Sequence, residues 1–303
     1  MMRIPNLSTR QLTLMMAAGL LLIAGSGLAW LQWVYRNPYN VYWGMIEQNL
    51  QTDSYTRRLQ QTNSQTHIDQ LTRMQFATSN TAQTNTTLKQ GSSTVKTETI
   101  GTKDREVLRY TQLDNGDSTT GAQQAAVKAL LNKWASTDVK DAGDQLPVFE
   151  QTTFGLAGGN VLPIVSLDAT DRDRVLHKLH NEVIFDVDFA KVERQQRQGR
   201  SVFVYPVKVQ AVGYAGLQKD LATILGYKLF DDLEPNEYQG QQPTVVSVVV
   251  DAWSHNLVEV AYAGQKRIET YSDYGVQKPV SLPKAVMSGQ QLRDKLRMTQ
   301  SPQ

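Results

Sequence analysis

The run Leu12 to Val34, LTLMMAAGLLLIAGSGLAWLQWV, carries no charged side chain. No other feature restricts the chain so strongly. At ~1.5 Å of rise per residue, a helix of this run crosses a hydrocarbon core of about 30 Å. Within a bilayer a single segment satisfies its own backbone polar groups only as a helix. Trp30, Trp33 and Tyr35 gather at one end, as in an interfacial aromatic belt. Arg3 and Arg10 precede the run and Arg36 follows it, a weak bias toward a cytoplasmic N-terminus. A cleaved signal peptide is the competing reading, with Gly27, Leu28 and Ala29 at cleavage-site spacing. The apolar run continues past that point, so an uncleaved anchor is expected.

The chain has no cysteine. That excludes a disulfide scaffold, a thiol nucleophile, a cysteine-ligated zinc and a lipidated cysteine. LIAGS, Leu22 to Ser26, has the outline of a lipoprotein cleavage box with serine where the acylated cysteine belongs. The helix itself must then hold the protein on the membrane. The expected organisation is a cytoplasmic tail over 1–11, a transmembrane helix over 12–34 and a juxtamembrane amphipathic helix over 35–50. An extracytoplasmic domain over 51–285 and a polar tail over 286–303 follow. The expected location is the cell membrane, with a single pass. A net charge of +2 leaves no electrostatic footprint for nucleic acid, so no such partner is expected.

Pro38 can open the juxtamembrane helix, whose Val41, Met45, Ile46 and Leu50 share one face. A packed first helix of the domain is the equal alternative. RRLQQT, THIDQLTRMQF, STVKTETIG and REVLRYTQL read as antiparallel strands, with turns at Gly91-Ser92 and Asn115-Gly116. Ser79 to Gln90 reads as an exposed strand or a loop. A helix is expected from about Thr120 to Ser136, striped by Ala122, Ala126, Val127, Leu130, Leu131 and Trp134. Another follows, with Asp168 or Thr170 as its cap and Val175, Leu176, Leu179 and Val183 as its apolar face.

In SVFVYPVKVQA, Phe203, Tyr205, Val207, Val209 and Ala211 fall on one face of a strand. A helix carrying Leu217, Leu221, Ile224 and Leu225 follows. TVVSVVVDAW and LVEVAYAG flank Ser254-His255-Asn256 as a hairpin, and QKRIETYSDYG reads as the next strand. Gln290 to Gln303 reads as a polar tail with a helical turn or two. Strand blocks flanking helices predict an α+β domain with a curled antiparallel sheet, a half-open β-barrel with covering helices.

Marks of catalysis are missing. His177 and His180 share a helix face near Asp171 and Asp173, but no third ligand stands at a metal-binding spacing, so no metal site is expected. His67 and His255 stand alone. Asp231, Asp232, Glu234 and Glu237 lack the EF-hand pattern and read as a solvated loop. GYAGLQKD, Gly213 to Asp220, lacks phosphate-loop spacing and reads as a strand-to-helix turn. Arg194, Arg197 and Arg200 suit either a solvated hairpin end or contact with anionic headgroups. No hydrolase motif occurs. Neither catalysis nor a cofactor is expected.

Three stretches carry a likeness to a known family. They are the strand-to-helix passage Ser201 to Gly226, the hairpin VSVVVDAWSHNLVEV and the closing YSDYGVQKPVSLP. This C-terminal third resembles the extracytoplasmic lipid-binding lipoproteins typified by LppX and LprG, similar in fold to the carriers of the Lol system. The chain departs from them in its anchor and in its Thr/Gln-rich first half. The resemblance implies a half-open barrel holding helices against an apolar cavity. It also implies a lipid or other apolar ligand, bound without catalysis. Phe203, Tyr205, Val207, Leu217, Leu221 and Ile224 are the candidate lining residues. The rival reading is an envelope adaptor with a filled barrel that binds another protein; a third is an enzyme without a marked motif. In the closing stretch, Gly275 is expected to turn the chain at positive φ, and Val280 to Leu282 to pair briefly before Pro283.

Overall fold

The structure, a computed structural model, describes residues 35–76, 80–114, 121–138, 147–154, 160–228, 230–276, 278 and 280–297, with backbone alone at 121–123. The tail and transmembrane helix expected over 1–34 lie outside them, Tyr35 being the first residue described. Among the described residues no helix is long and apolar enough to cross a membrane.

The fold is α+β, built on one large curled sheet that does not close. Helix α1 (Pro38–Asn49) opens the domain with Asn37 as its cap. Five antiparallel strands follow as hairpins: β1 (Ser54–Thr62), β2 (Thr66–Gln75), β3 (Thr81–Gln90), β4 (Ser93–Thr102) and β5 (Arg105–Asp114). After α2 (Gly121–Leu130) come β6 (Ala135–Asp138), α3 (Val148–Phe154) and α4 (Ala169–Asn181). Short strands β7 (Phe185–Val187) and β8 (Glu193–Arg197) lead into β9 (Arg200–Val209) and α5 (Ala211–Ile224). Then come β10 (Thr244–Asp251), β11 (Leu257–Tyr262), β12 (Arg267–Ser272), β13 (Met287–Ser288) and α6 (Gly289–Arg297). The sheet runs β13-β6-β5-β4-β3-β2-β1-β12-β11-β10-β9-β7, with β8 also on β9. All its pairings are antiparallel except β13 with β6. The β1–β12 pairing joins the two halves of the chain, Arg57 opposite Tyr271 and Leu59 opposite Glu269.

Alternation fixes which side chains meet the helices. On β9, Phe203, Tyr205, Val207 and Val209 are buried, and across the ladder they meet Val250, Val248, Val246 and Thr244. Helix α1 packs there as the first helix of the domain: Tyr42 lies 5.3 Å from Tyr205, whose hydroxyl donates to the Pro38 carbonyl. Its Val41, Met45, Ile46 and Leu50 are fully buried. A second, smaller core joins Leu130, Ala135 and Leu292, so part of the segment expected as a polar tail is the packed helix α6.

Four local expectations are corrected. Helix α2 ends at Leu130, because Asn132 takes φ 61° and turns the chain toward β6. Trp134 therefore leaves the helical stripe, and its ring lies under the Arg109 guanidinium. The β9 strand stops at Val209, and Ala211 begins α5, which places Gly213 inside a helix rather than in a turn before it. Asp168 is the cap of α4, but Val183 lies beyond that helix and is 71% exposed.

Ser79–Gln90 contains a strand, β3. The closing segment behaves differently from the expected short strand. Gly275 does take φ 71°, donating to the Ser54 carbonyl. Asp273 also adopts positive φ, 55°. Val280 to Leu282 then form no strand. The Gln75 side chain replaces a ladder there: its oxygen accepts from Val280 N at 3.1 Å and its amide donates to the Lys278 carbonyl.

Candidate functional site

The inner face of the sheet, the one the helices cover, is not uniform. Over β9, β10 and β11 it is apolar and buried, from Phe203 and Tyr205 through Val246, Val248 and Val250 to Val260. Over β1 and β12 it turns charged. Over β2 to β5 it becomes a mixed, partly open surface.

The charged centre is Glu269, fully buried on β12. Arg57 Nη2 lies 3.0 Å from its Oε1, and Arg57 Nε donates to Oε2 at 3.1 Å. Arg267 Nε donates to Oε1 at 3.0 Å, and the Tyr271 hydroxyl to Oε2 at 2.6 Å. Asn160 links the neighbouring hydroxyls: its side-chain amide donates to Tyr55 Oη at 2.6 Å, and its backbone carbonyl accepts from Tyr214 on α5 at 3.0 Å. The Arg267 guanidinium also lies 4.3 Å from the Tyr262 ring centre. Alternation explains the assembly, since Tyr55 and Arg57 point inward from β1, and Arg267, Glu269 and Tyr271 from β12.

Burial alone would raise the Glu269 pKa, but Arg57 and Arg267 overcome it and hold the carboxyl below its ordinary value. Burial, and then the Glu269 charge, raise the hydroxyls of Tyr271, Tyr262 and Tyr214. Burial likewise raises Tyr55. The carboxylate is thus ionised and the phenols neutral near pH 7. Proton transfer needs a group poised near the working pH, whereas this arrangement suits fixed orientation.

Gln218 differs from every member of that cluster. At 100° per residue it sits in the middle of α5's buried face, among Ala215, Leu217, Leu221 and Ala222. The side chain is completely buried, yet neither its Nε2 nor its Oε1 has a hydrogen-bond partner among the described residues. Tyr214, one turn earlier, reaches Asn160, and Gly226 past the helix end accepts from Lys103 in the β4–β5 turn. Helix α5 therefore runs from the charged centre toward the β4–β5 turn, with Gln218 buried between.

Beneath the partly open surface, registers place Arg57, Thr72, Thr84 and Thr99 in one inner row. Leu59, Gln70, Thr86, Thr97 and Tyr110 form the next, and Gln61, Ile68, Leu88, Val95 and Leu113 the last. Thr72 and Thr84 are buried and joined at 3.0 Å. Gln70, Thr86 and Thr97, and the row from Ile68 to Leu113, are only half-buried. A separate groove of about 460 Å³ lies on the outer face, bordered by Val204, Pro206, Val245, Ser247 and Ala261.

Five of the six residues expected to line a cavity, Phe203, Tyr205, Val207, Leu217 and Leu221, are buried members of the main core, and Ile224 packs against it. The structure brings them together as one packed body. His180 stacks on Trp43 with centroids 3.8 Å apart, while His177 contacts Asn181. Among the described residues no cluster of three or more His, Asp or Glu is arranged for a metal ion. Sequence reasoning missed Arg57, Glu269, Asn160 and Gln218. One signal was present: Arg57 stands at an alternate position between Tyr55 and Leu59, and Glu269 stands between Arg267 and Tyr271 on one strand face. Which strands would pair was not readable from either. No protein-family model matches the chain, and the search of curated proteins gives no significant match.

Proposed function

We propose that this is a non-catalytic binding module, held outside the cytoplasm by the 12–34 span, whose half-open barrel takes a lipid or other apolar ligand on its inner side. The observation that carries this reading is the partly open inner row Ile68, Leu88, Val95 and Leu113. Apolar side chains on the helix-covered face of a sheet are ordinarily sealed, as they are across β9 to β11. Here they are left half-buried, beside threonines. Binding sites combine such apolar walls with a few placed polar groups, and the unpartnered Gln218 amide supplies one. The likeness of the C-terminal third to lipid-binding lipoproteins points the same way.

The test uses full-length protein extracted in mild detergent and examined by native mass spectrometry. A retained apolar molecule, released on denaturation and lost in Leu88→Arg, is the expected result. Retention unaffected by Leu88→Arg, or no retained molecule and no uptake of an added palmitoyl amide, overturns the proposal. One observation favours the adaptor reading: the outer groove is mainly apolar, and Val245 at its edge is 44% exposed. An adaptor would lose a protein partner in Val245→Arg and be indifferent to Leu88→Arg.

A further inference from the structure

Two turns emerge side by side at one end of the sheet. Val202 pairs with Asp251, and Ala252 N donates to the Ser201 carbonyl, so the β8–β9 turn adjoins the β10–β11 turn. The start of the described chain is latched onto the second of these. Tyr35 stacks on His255 with centroids 4.4 Å apart and donates its hydroxyl to the Trp253 carbonyl at 2.9 Å. The Arg36 guanidinium lies 4.2 Å from the Trp253 ring centre. Gly44 of α1 packs so closely on the same turn that an added Cβ would collide with the His255 ring. Asp251 caps the turn, accepting from Trp253 N and Ser254 N.

Tyr35 directly follows Val34, the last residue of the uncharged run, and consecutive Cα atoms are only ~3.8 Å apart. No linker therefore separates this latch from the end of the span. We infer that the end of the domain carrying Trp253 and the β8–β9 turn lies flat on the anionic surface of the membrane that the 12–34 span crosses. The inference rests on the anchor reading above and adds the domain's orientation to it.

The surface chemistry fits that partner. Trp253 is 50% exposed, as is Tyr39 at the start of α1, and amphipathic rings favour the headgroup layer. Arg36, Arg194 and Arg200 stand at this end, and among the described residues none of them forms a salt bridge. Arg197 is engaged by Glu259. Unneutralised cations beside exposed aromatic rings match anionic headgroups. Arg194 and Arg200, which have no carboxylate partner among the described residues, thereby acquire a role. The strands β1 to β5 run away from this end, so the Arg57 row faces the bilayer side and the Ile68 to Leu113 row lies toward the far end, that of Ser92.

The absence of cysteine makes the test clean. Full-length Ser254→Cys, Gln198→Cys and Ser92→Cys would each carry one nitroxide; Ser92 lies in the β3–β4 turn at the opposite end of the sheet. The proteins are reconstituted in vesicles of phosphatidylcholine with phosphatidylglycerol. Electron paramagnetic resonance then compares accessibility to oxygen and to a water-soluble nickel chelate. The expected result is a severalfold lower nickel accessibility at 254 and 198 than at 92. That difference should narrow in Arg36→Glu/Arg194→Glu/Arg200→Glu and in vesicles of phosphatidylcholine alone. Equal accessibility at the three sites in protein that resists a salt wash overturns the orientation while leaving the anchor intact. Protein stripped from the vesicles by salt overturns the anchor reading instead.

Discussion

Arg57 and Glu269 form an ion pair at 3.0 Å with side chains 1% and 0% exposed, and it bridges the β1–β12 ladder, which joins the two halves of the chain. Removing two charges from water is costly, and attraction offsets that cost only when the remaining donors and acceptors are satisfied. Here Arg267 and Tyr271 complete the carboxylate. Arg57→Met strands a buried carboxylate and is expected to lower stability by about 3–5 kcal/mol. Arg57→Met with Glu269→Leu is expected to cost less, since both fully buried charges leave together and the remaining Arg267 is 13% exposed to water. Urea unfolding measures the two; a double variant as unstable as the single would mean that the pair is net stabilising.

The same carboxylate sets a pH dependence. Because its folded pKa lies below the unfolded one, it binds fewer protons in the native state, and its contribution is fully present above the unfolded carboxylate value of about 4.3. That contribution is lost as the pH falls from there through the folded value. Glu106 has the opposite sign. Burial raises its pKa, although the Val148 amide donates to it at 2.7 Å and acts against the shift. Its contribution is present below the unfolded value and is lost as pH rises through the folded one. Melting temperature against pH should therefore fall less steeply on the acid side in Glu269→Gln. Glu106→Gln should remove a loss of stability just above that range.

Gln218→Leu separates a ligand anchor from a passive core residue. An unsatisfied buried polar group costs about 1–3 kcal/mol, so the ligand-free variant is expected to melt at higher temperature. If the amide meets the polar group of an apolar ligand, the variant also loses preference for palmitoyl amide over methyl palmitate, which accepts but cannot donate. A variant less stable than the parent when free of ligand would mean that the amide is already satisfied.

Much of the fold was legible because burial writes itself as alternation. Phe203, Tyr205, Val207 and Val209 alternate with more exposed positions, and the ladder places them on the buried side as the spacing required. The helix after them, the hairpin at His255 and the strands around Leu59, Met74 and Ile100 follow from equally local patterns. β3 was ambiguous because its inner face is threonine: Thr84 and Thr86 are polar by type but sit inside beside Thr72 and Gln70. Helix α3 was invisible, since its seven residues, VFEQTTF, are too few to show a stripe. The centre at Glu269 depends on β1 meeting β12, a contact between residues more than two hundred positions apart. No local rule encodes that pairing, so neither the ion pair nor the Asn160 link could be read in advance.

The closing segment supplies the last test. Asp273 at φ 55° and Gly275 at φ 71° turn the chain off β12 in two steps, and Tyr274 between them donates its hydroxyl to the Leu257 carbonyl at 2.9 Å. A Cβ at Gly275 would meet nothing within 4 Å, so space is no obstacle there. The obstacle is conformational: left-handed backbone costs ordinary residues about 1–2 kcal/mol, and a branched Cβ more. Gly275→Val is expected to lower stability by at least that amount while weakening the Gly275 to Ser54 hydrogen bond. Asp273→Asn should be neutral or slightly stabilising, because asparagine tolerates this backbone at least as well and can still accept from Ser272 Oγ, which donates to the carboxylate at 3.0 Å. Thermal melts and palmitoyl amide binding on the same samples decide the matter. If Asp273→Asn abolished binding with an unchanged melt, the turn would be part of the site; if Gly275→Val left the melt untouched, the backbone at 275 would not be left-handed in solution.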